Sequence, residues 1–566
     1  MASVSTSQID LRRHDLDALR AFAMLLGIAL HASISFFPVT WPVQDRNQND
    51  LFGVMFLIIH GFRMPLFFVM SGFFTAMLWR KRGLSALFKH RFRRIGIPLL
   101  LSMVTILPLT SWSIRWAVHR SETLNRTYST EQAAAASLWQ LARDRKTDII
   151  SHRQWTDAEL NAPDPRLGST PLSIATIKGH ADIVKLLLKS GADPSARNKD
   201  GGTALHYACL LGRPEIAMLL VDHGADANAT AINGDTPIDV AATDFASAQF
   251  VAGLYQTSLD ETKFHSGQEQ IAAILDGEKT STPRSFHVRH RTWSNWLDVA
   301  MDRPLFAHLW FLWHLCWLVC GFGIYAKVAE LTGWRLPAWW ILSPARYLWI
   351  IPLTMLPQRF MARKIPLFGP DTSVGLVPVP HVFIYYALFF AFGALYYEAR
   401  DDSGKVGCRW WLTLPIALLF SFPIGAICVF APAELSETMN PTQIRLLGDF
   451  SQVSFAWLMT FGLMGLSRRL INTESKTVRY ISDSAYWLYL AHMPVIFVLQ
   501  ALIQDWPLPA IVKFLSMCIG VTAILLVTYD KLVRYTWFGT LLNGPRTRSA
   551  AATIELQPVS LEVESA

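Results

Sequence analysis

Ten stretches of about 20 mostly apolar residues, near 17–37, 52–78, 95–113, 305–326, 337–358, 379–397, 410–430, 450–467, 484–503 and 510–530, constrain this chain more than any other feature. Each is long enough to cross a hydrocarbon core. Inside lipid every backbone N–H and C=O needs a partner, and for segments of this length that means an α-helix. The expectation is an all-α protein, a polytopic helical membrane bundle of about ten transmembrane helices with a soluble insertion. The fifth stretch, interrupted by Pro344 and Pro352, is the weakest. The first lacks a small-residue cleavage site and reads as a retained helix, not a signal peptide.

The net charge of +8 is explained by topology, not by nucleic acid, because the basic residues sit in short loops between apolar runs. With the N-terminus inside, the inner segments hold 22 Lys and Arg, among them Arg12, Arg13 and the run "RKRGLSALFKHRFRR". The short outer loops hold five, namely Arg46, Arg359, Arg363, Lys364 and Arg445. From this asymmetry an even number of spans and cytoplasmic termini are expected. The six cysteines show no CxxC pairing, so neither a disulfide framework nor a metal site is expected.

Between the third and fourth stretches the chain turns polar and repeats. "GSTPLSIATIKGHADIVKLLLKSGADPSARNKD" is followed by "GGTALHYACLLGRPEIAMLLVDHGADANATAIN" and then "GDTPIDVA". Thr170, Thr203 and Thr236 recur every 33 residues, and "TALHYA" matches the ankyrin signature. "SLWQLARDRKTDIISHRQWTDAELNAPDP" reads as a degenerate first repeat, and 245–277 as a helical cap. An ankyrin α-solenoid is expected over 130–278, between a first membrane part at 1–114 and a second at 300–535. Residues 547–566 read as a disordered tail. Helix pairs should bury Leu186, Leu187, Leu219 and Leu220, while His180, His206 and His223 read as scaffold. By parity of the spans the array is expected to be extracytoplasmic; the sequence does not name its ligand and leaves a protein partner open.

Inside the first stretch, "LDALRAFAMLLGIALHASISFF", stand Arg20 and His31. Eleven residues make three turns plus about 20°, so the two share one helix face, about 16 Å apart along the axis. Asp17 is one turn from Arg20 and close enough to pair. A charged face is expensive against lipid and should look into the bundle. The plainer alternative is a snorkelling arginine and a hydrogen-bonded structural histidine. The second stretch, "IIHGFRMPLFFVMSGFF", adds His60, Arg63 and Ser71.

These motifs carry a resemblance. The R-x10-H first helix, "MPLFFVMSGFF", "RFRR", "HLWFL" and "SAYWLYLAHMP" resemble, in order, the membrane acyltransferase 3 family. The branch that it most resembles succinylates periplasmic glucans. The ankyrin insert is foreign to that pattern. The resemblance implies an O-acyltransferase taking an acyl group from cytoplasmic acyl-CoA (acetyl-CoA or succinyl-CoA) to a hydroxyl of an extracytoplasmic glycan or other envelope acceptor. Acyl-CoA is the donor substrate, and no bound cofactor or metal is implied.

Carried over residue by residue, R-x10-H falls on Arg20 and His31, and R-x-x-R on Arg91 and Arg94. Arginine suits CoA phosphates through charged, bidentate hydrogen bonds. Imidazole suits proton removal near neutral pH, which makes His31 the candidate general base. Arg20 would line the donor channel or bind a phosphate. His60, Arg63 and Ser71 are candidates for the oxyanion site or channel, with direct transfer or an acyl-enzyme both open. His308, His381 and His492 are secondary candidates. The rival readings are a membrane transporter and an ankyrin-bearing scaffold without acyl transfer.

Overall fold

A computed structural model describes residues 13–39, 41–131, 137–164, 168–198, 201–231, 234–243, 245–255, 257, 259–276, 305–333, 336–362, 367–436, 438–471 and 475–544. The tail expected at 547–566, the whole of 277–304, and Arg12, Arg363 and Lys364 lie outside them.

The regular structure among the described residues is helical, with no strand among them. The long helices are α1 (His14–Ser33), α2 (Leu51–Arg91), α3 (Ile106–Glu131), α4 (Trp310–Thr332), α5 (Arg346–Gln358), α6 (Pro380–Glu398), α7 (Pro441–Leu470), α8 (Lys476–Ile503) and α9 (Ala510–Thr528). An unlabelled stretch, Trp410–Phe430, runs between α6 and α7.

Among the described residues, seven helices are long and apolar enough, by length and composition, to cross a membrane. This is fewer than the ten expected, for physical reasons. Stretches 52–78 and 95–113 belong to one continuous helical run, Leu51–Ser121. It turns at Gly83, whose φ of 78° is a left-handed conformation that costs glycine little. Stretch 337–358 breaks into Trp339–Leu342 and the 13-residue α5. Stretch 450–467 lies in α7, which is buried among other helices along nearly its whole length. Protein neighbours satisfy its polar residues, so α7 can be less apolar than a lipid-facing span. Its Gln452, for example, accepts a 2.8 Å hydrogen bond from the Gly369 amide.

Packing is tightest where α2 crosses α6. A Cβ at Gly72 would collide with the Phe390 carbonyl, and one at Gly393 with that of Val69. Small residues let two backbones approach this closely in membranes. Beside this crossing, Trp457 of α7 stacks on Phe389 of α6 at 3.9 Å between ring centroids.

The ankyrin insert has its own core. The recurring threonines cap helices: Thr170 Oγ1 accepts from the Ser173 amide at 3.2 Å, and the Thr203 amide donates to His206 Nδ1 at 3.1 Å. Leu187 and Leu220 are fully buried. Leu186 and Leu219 are only partly so, because adjacent helical positions point about 100° apart. Helices Phe245–Leu254 and Glu261–Asp276 follow the last repeat.

Candidate functional site

Arg20 and His31 both meet α8. Arg20 Nη2 donates to the Ser482 carbonyl at 2.9 Å and to its hydroxyl at 2.7 Å, with the Asp17 carboxylate 3.7 Å away. Eleven residues along α1, His31 Nδ1 lies 3.2 Å from His492 Nε2. The two helices therefore run side by side in the same direction, and their polar positions form a seam. On α8 that seam passes through Ser482, Tyr486, Tyr489 and His492, spaced three to four residues apart.

Backbone carbonyls settle the protonation pattern at the seam's far end. His31 Nδ1 is 2.9 Å from the Gly27 carbonyl oxygen, which can only accept, so Nδ1 carries the hydrogen. In the neutral ring the lone pair then resides on Nε2, the nitrogen able to take a proton. Trp41 lies alongside His31 with ring centroids 6.5 Å apart. Its Nε1 donates to Gln500 Oε1 at 2.8 Å, and Gln500 Nε2 donates to the His31 carbonyl at 3.3 Å.

Three further groups converge here. Arg63 of α2 reaches across to Gly27 of α1, where a Cβ would strike its Nη1. The Arg63 Nε is buried with no hydrogen-bond partner among the described residues. His308, in the turn before α4, packs edge-on against His492 at 5.6 Å and donates from Nε2 to the Leu490 carbonyl at 3.1 Å. Tyr489 donates to the His308 carbonyl at 2.7 Å.

At the other end of the seam Arg91 turns inward. Its Nη2 donates to Thr75 Oγ1 at 2.8 Å, and its Nε is buried without a partner among the described residues. Arg94 stands against Gly544, and its charged neighbours are Arg20, Arg82 and Arg93. Arg20, Arg91 and Arg94 thus share the basic end of the bundle, and His31 lies deeper along the same seam.

The remaining candidates have other immediate partners. His60 stacks on Phe56 and donates from Nε2 to the Pro370 carbonyl at 3.1 Å. Ser71 lies eight residues beyond Arg63 on α2 and gives its carbonyl to the Thr75 hydroxyl. His381 begins α6 with its ring beside Phe360. Sequence reasoning missed Gly27, Trp41, Ser482, Tyr489, Gln500 and His314. His314 is fully buried and leaves Nε2 without a partner among the described residues. The three-to-four spacing of polar residues along "SDSAYWLYLAH" was the available signal for the α8 face.

Comparison with known proteins bears on this arrangement. The acyltransferase 3 family, described as an acyltransferase domain, matches residues 13–143 and 281–530. Ankyrin repeats in three copies match 138–251. Similar proteins include the glucans biosynthesis protein C of Escherichia coli strain K12 and that of strain SMS-3-5 / SECEC. Each is 40% identical over 98 residues, covering 17% of this chain and 24% of the relative. The chain thus matches about a quarter of the length of these relatives. The family match takes in more than half of the chain and every residue of the seam, and it stops where the ankyrin repeats begin: the protein belongs to the acyltransferase 3 family and carries an ankyrin-repeat insertion.

Proposed function

We propose that this membrane protein is an O-acyltransferase that moves an acyl group of the acetyl or succinyl type from cytoplasmic acyl-CoA to a hydroxyl of an extracytoplasmic glycan. The glucan named for its relatives is the first acceptor to try. The observation that supports this best is the seam itself. Cationic groups gather at one end, and along α1 and α8 it leads to an imidazole whose Nε2 lone pair is available. In this reading the basic end is cytoplasmic, both termini lie there, and the ankyrin array is extracytoplasmic.

Arg91 and Arg94 bind donor phosphates, Arg20 lines the channel, and His31 removes the hydroxyl proton as the oxygen attacks the thioester carbonyl. Arg63, cationic and close to His31, stabilises the oxyanion that forms. The C–S bond then breaks, and the departing thiolate takes the proton from His31.

The test is transfer from labelled acetyl-CoA or succinyl-CoA to purified glucan by the protein reconstituted in vesicles. His31→Ala is expected to lose about 10²–10⁴-fold in turnover while remaining folded and inserted. Unchanged transfer in that variant overturns the reading.

A further inference from the structure

Resting on that reading, we infer that His492 is a positioning residue. It accepts a hydrogen bond from His31 Nδ1 beside the Gly27 carbonyl, and by doing so holds the ring of the base in place and steadies its charged form during transfer.

The direction of that bond follows from the backbone. His492 Nδ1 lies 2.8 Å from the Tyr489 carbonyl and 3.1 Å from that of Leu488. Carbonyls accept only, so Nδ1 of the neutral ring carries the hydrogen and Nε2 the lone pair. His31 Nδ1, 3.2 Å from that lone pair, is committed as a donor by the Gly27 carbonyl. The two rings therefore meet donor to acceptor, His31 to His492. The His31 Nδ1–H is shared between two acceptors, and Nε2 is left toward the reacting hydroxyl.

A base whose distal N–H is held by a fixed acceptor loses no orientation when it takes its proton. The new positive charge is spread toward the His492 lone pair, and no proton needs to reach His492. An aspartate in this place would do more, because it is charged. A neutral imidazole can sit in the bundle interior without the cost of a buried carboxylate.

His492 is held for this task from two sides. Its ring is 3% exposed, it is fixed by the carbonyls of its own helix, and His308 packs edge-on against it. The titratable and charged groups facing His31 are His492 from α8, Arg63 from α2 and His308 from the turn before α4.

Turnover and its pH dependence in the reconstituted full chain test this. His492→Leu removes the acceptor. It is expected to lower kcat about 10²-fold with little change in donor KM, less than the 10⁴-fold cost of disturbing a charged orienting group. Without the acceptor the charged His31 is less favoured, so the acid limb of the rate profile moves to lower pH. His492→Gln, whose amide oxygen can accept at the Nε2 position, is expected to stay within about tenfold of wild type with its acid limb in place.

If His31→Ala is inactive while His492→Leu keeps the wild-type kcat and profile, the inference fails and the base reading stands. If folded His492→Gln is as impaired as His492→Leu, the acceptor role fails as well. Full activity in His31→Ala removes both.

Discussion

Lys513 and Asp45 form an ion pair that is almost completely enclosed, with Nζ 2.9 and 3.1 Å from the two carboxylate oxygens and each side chain 1% exposed. Lys513 also donates to the Gln504 carbonyl at 3.0 Å. The pair fastens the loop between α1 and α2 to α9. That loop carries Trp41, the residue alongside His31. Removing one partner of a buried pair strands the other charge and costs about 3–5 kcal/mol. Lys513→Met is therefore expected to lower the thermal midpoint in detergent and to raise amide exchange in residues 41–50. The double variant Lys513→Met with Asp45→Leu, which buries no charge, should recover most of the loss. A double variant no better than the single one refutes the stranded-charge account.

Gly72 and Gly393 admit no side chain, since each faces a backbone carbonyl of the opposing helix. Gly72→Leu has to push α2 and α6 apart. Overpacking of this kind typically costs about 1–3 kcal/mol. The check is thermal unfolding of the detergent-solubilised variant. An unshifted midpoint would show that the crossing is looser than described.

Arg91 offers a split between binding and structure. In the proposed role Arg91→Ala loses a charged hydrogen bond to donor phosphate, worth about 1.5–3 kcal/mol, and donor KM rises about 10- to 100-fold. Arg91→Lys should not restore it, because a lysine cannot form the planar fork. Thr75→Val removes only the internal partner and should leave donor KM near wild type. Equal donor KM in Arg91→Ala and wild type would count against the donor site.

In the ankyrin insert, burial holds the His180 imidazole below its ordinary value of 6.5, helped by Arg145 and Lys178, while the Ala142 carbonyl 3.1 Å from Nδ1 and the Asp182 carboxylate work the other way. The folded state thus binds the proton less readily than the unfolded one. The contribution of His180 is complete above about pH 6.5 and is lost as pH falls below it. Amide exchange across 138–251, corrected for intrinsic rates, should show protection falling between pH 7 and 5. His180→Gln, which cannot titrate, should flatten that slope.

Much of this molecule is readable along the chain because its signals are local. Helices of membrane length follow from uninterrupted apolar residues and the need to pair every backbone group within the segment. The ankyrin insert follows from a 33-residue period whose threonines proved to be helix caps. That Arg20 and His31 share a face follows from 3.6 residues per turn. Tertiary structure alone decided which residues meet at the seam. His31, Arg63, His308 and His492 are separated by up to 461 positions, and no periodicity records that they converge. It also decided which spans are enclosed by protein and which leave apolar side chains exposed. Hydropathy registers the polarity of a helix but not what surrounds it: Asp449, Gln452 and Thr460 of α7 are polar in the sequence and enclosed by protein in the bundle.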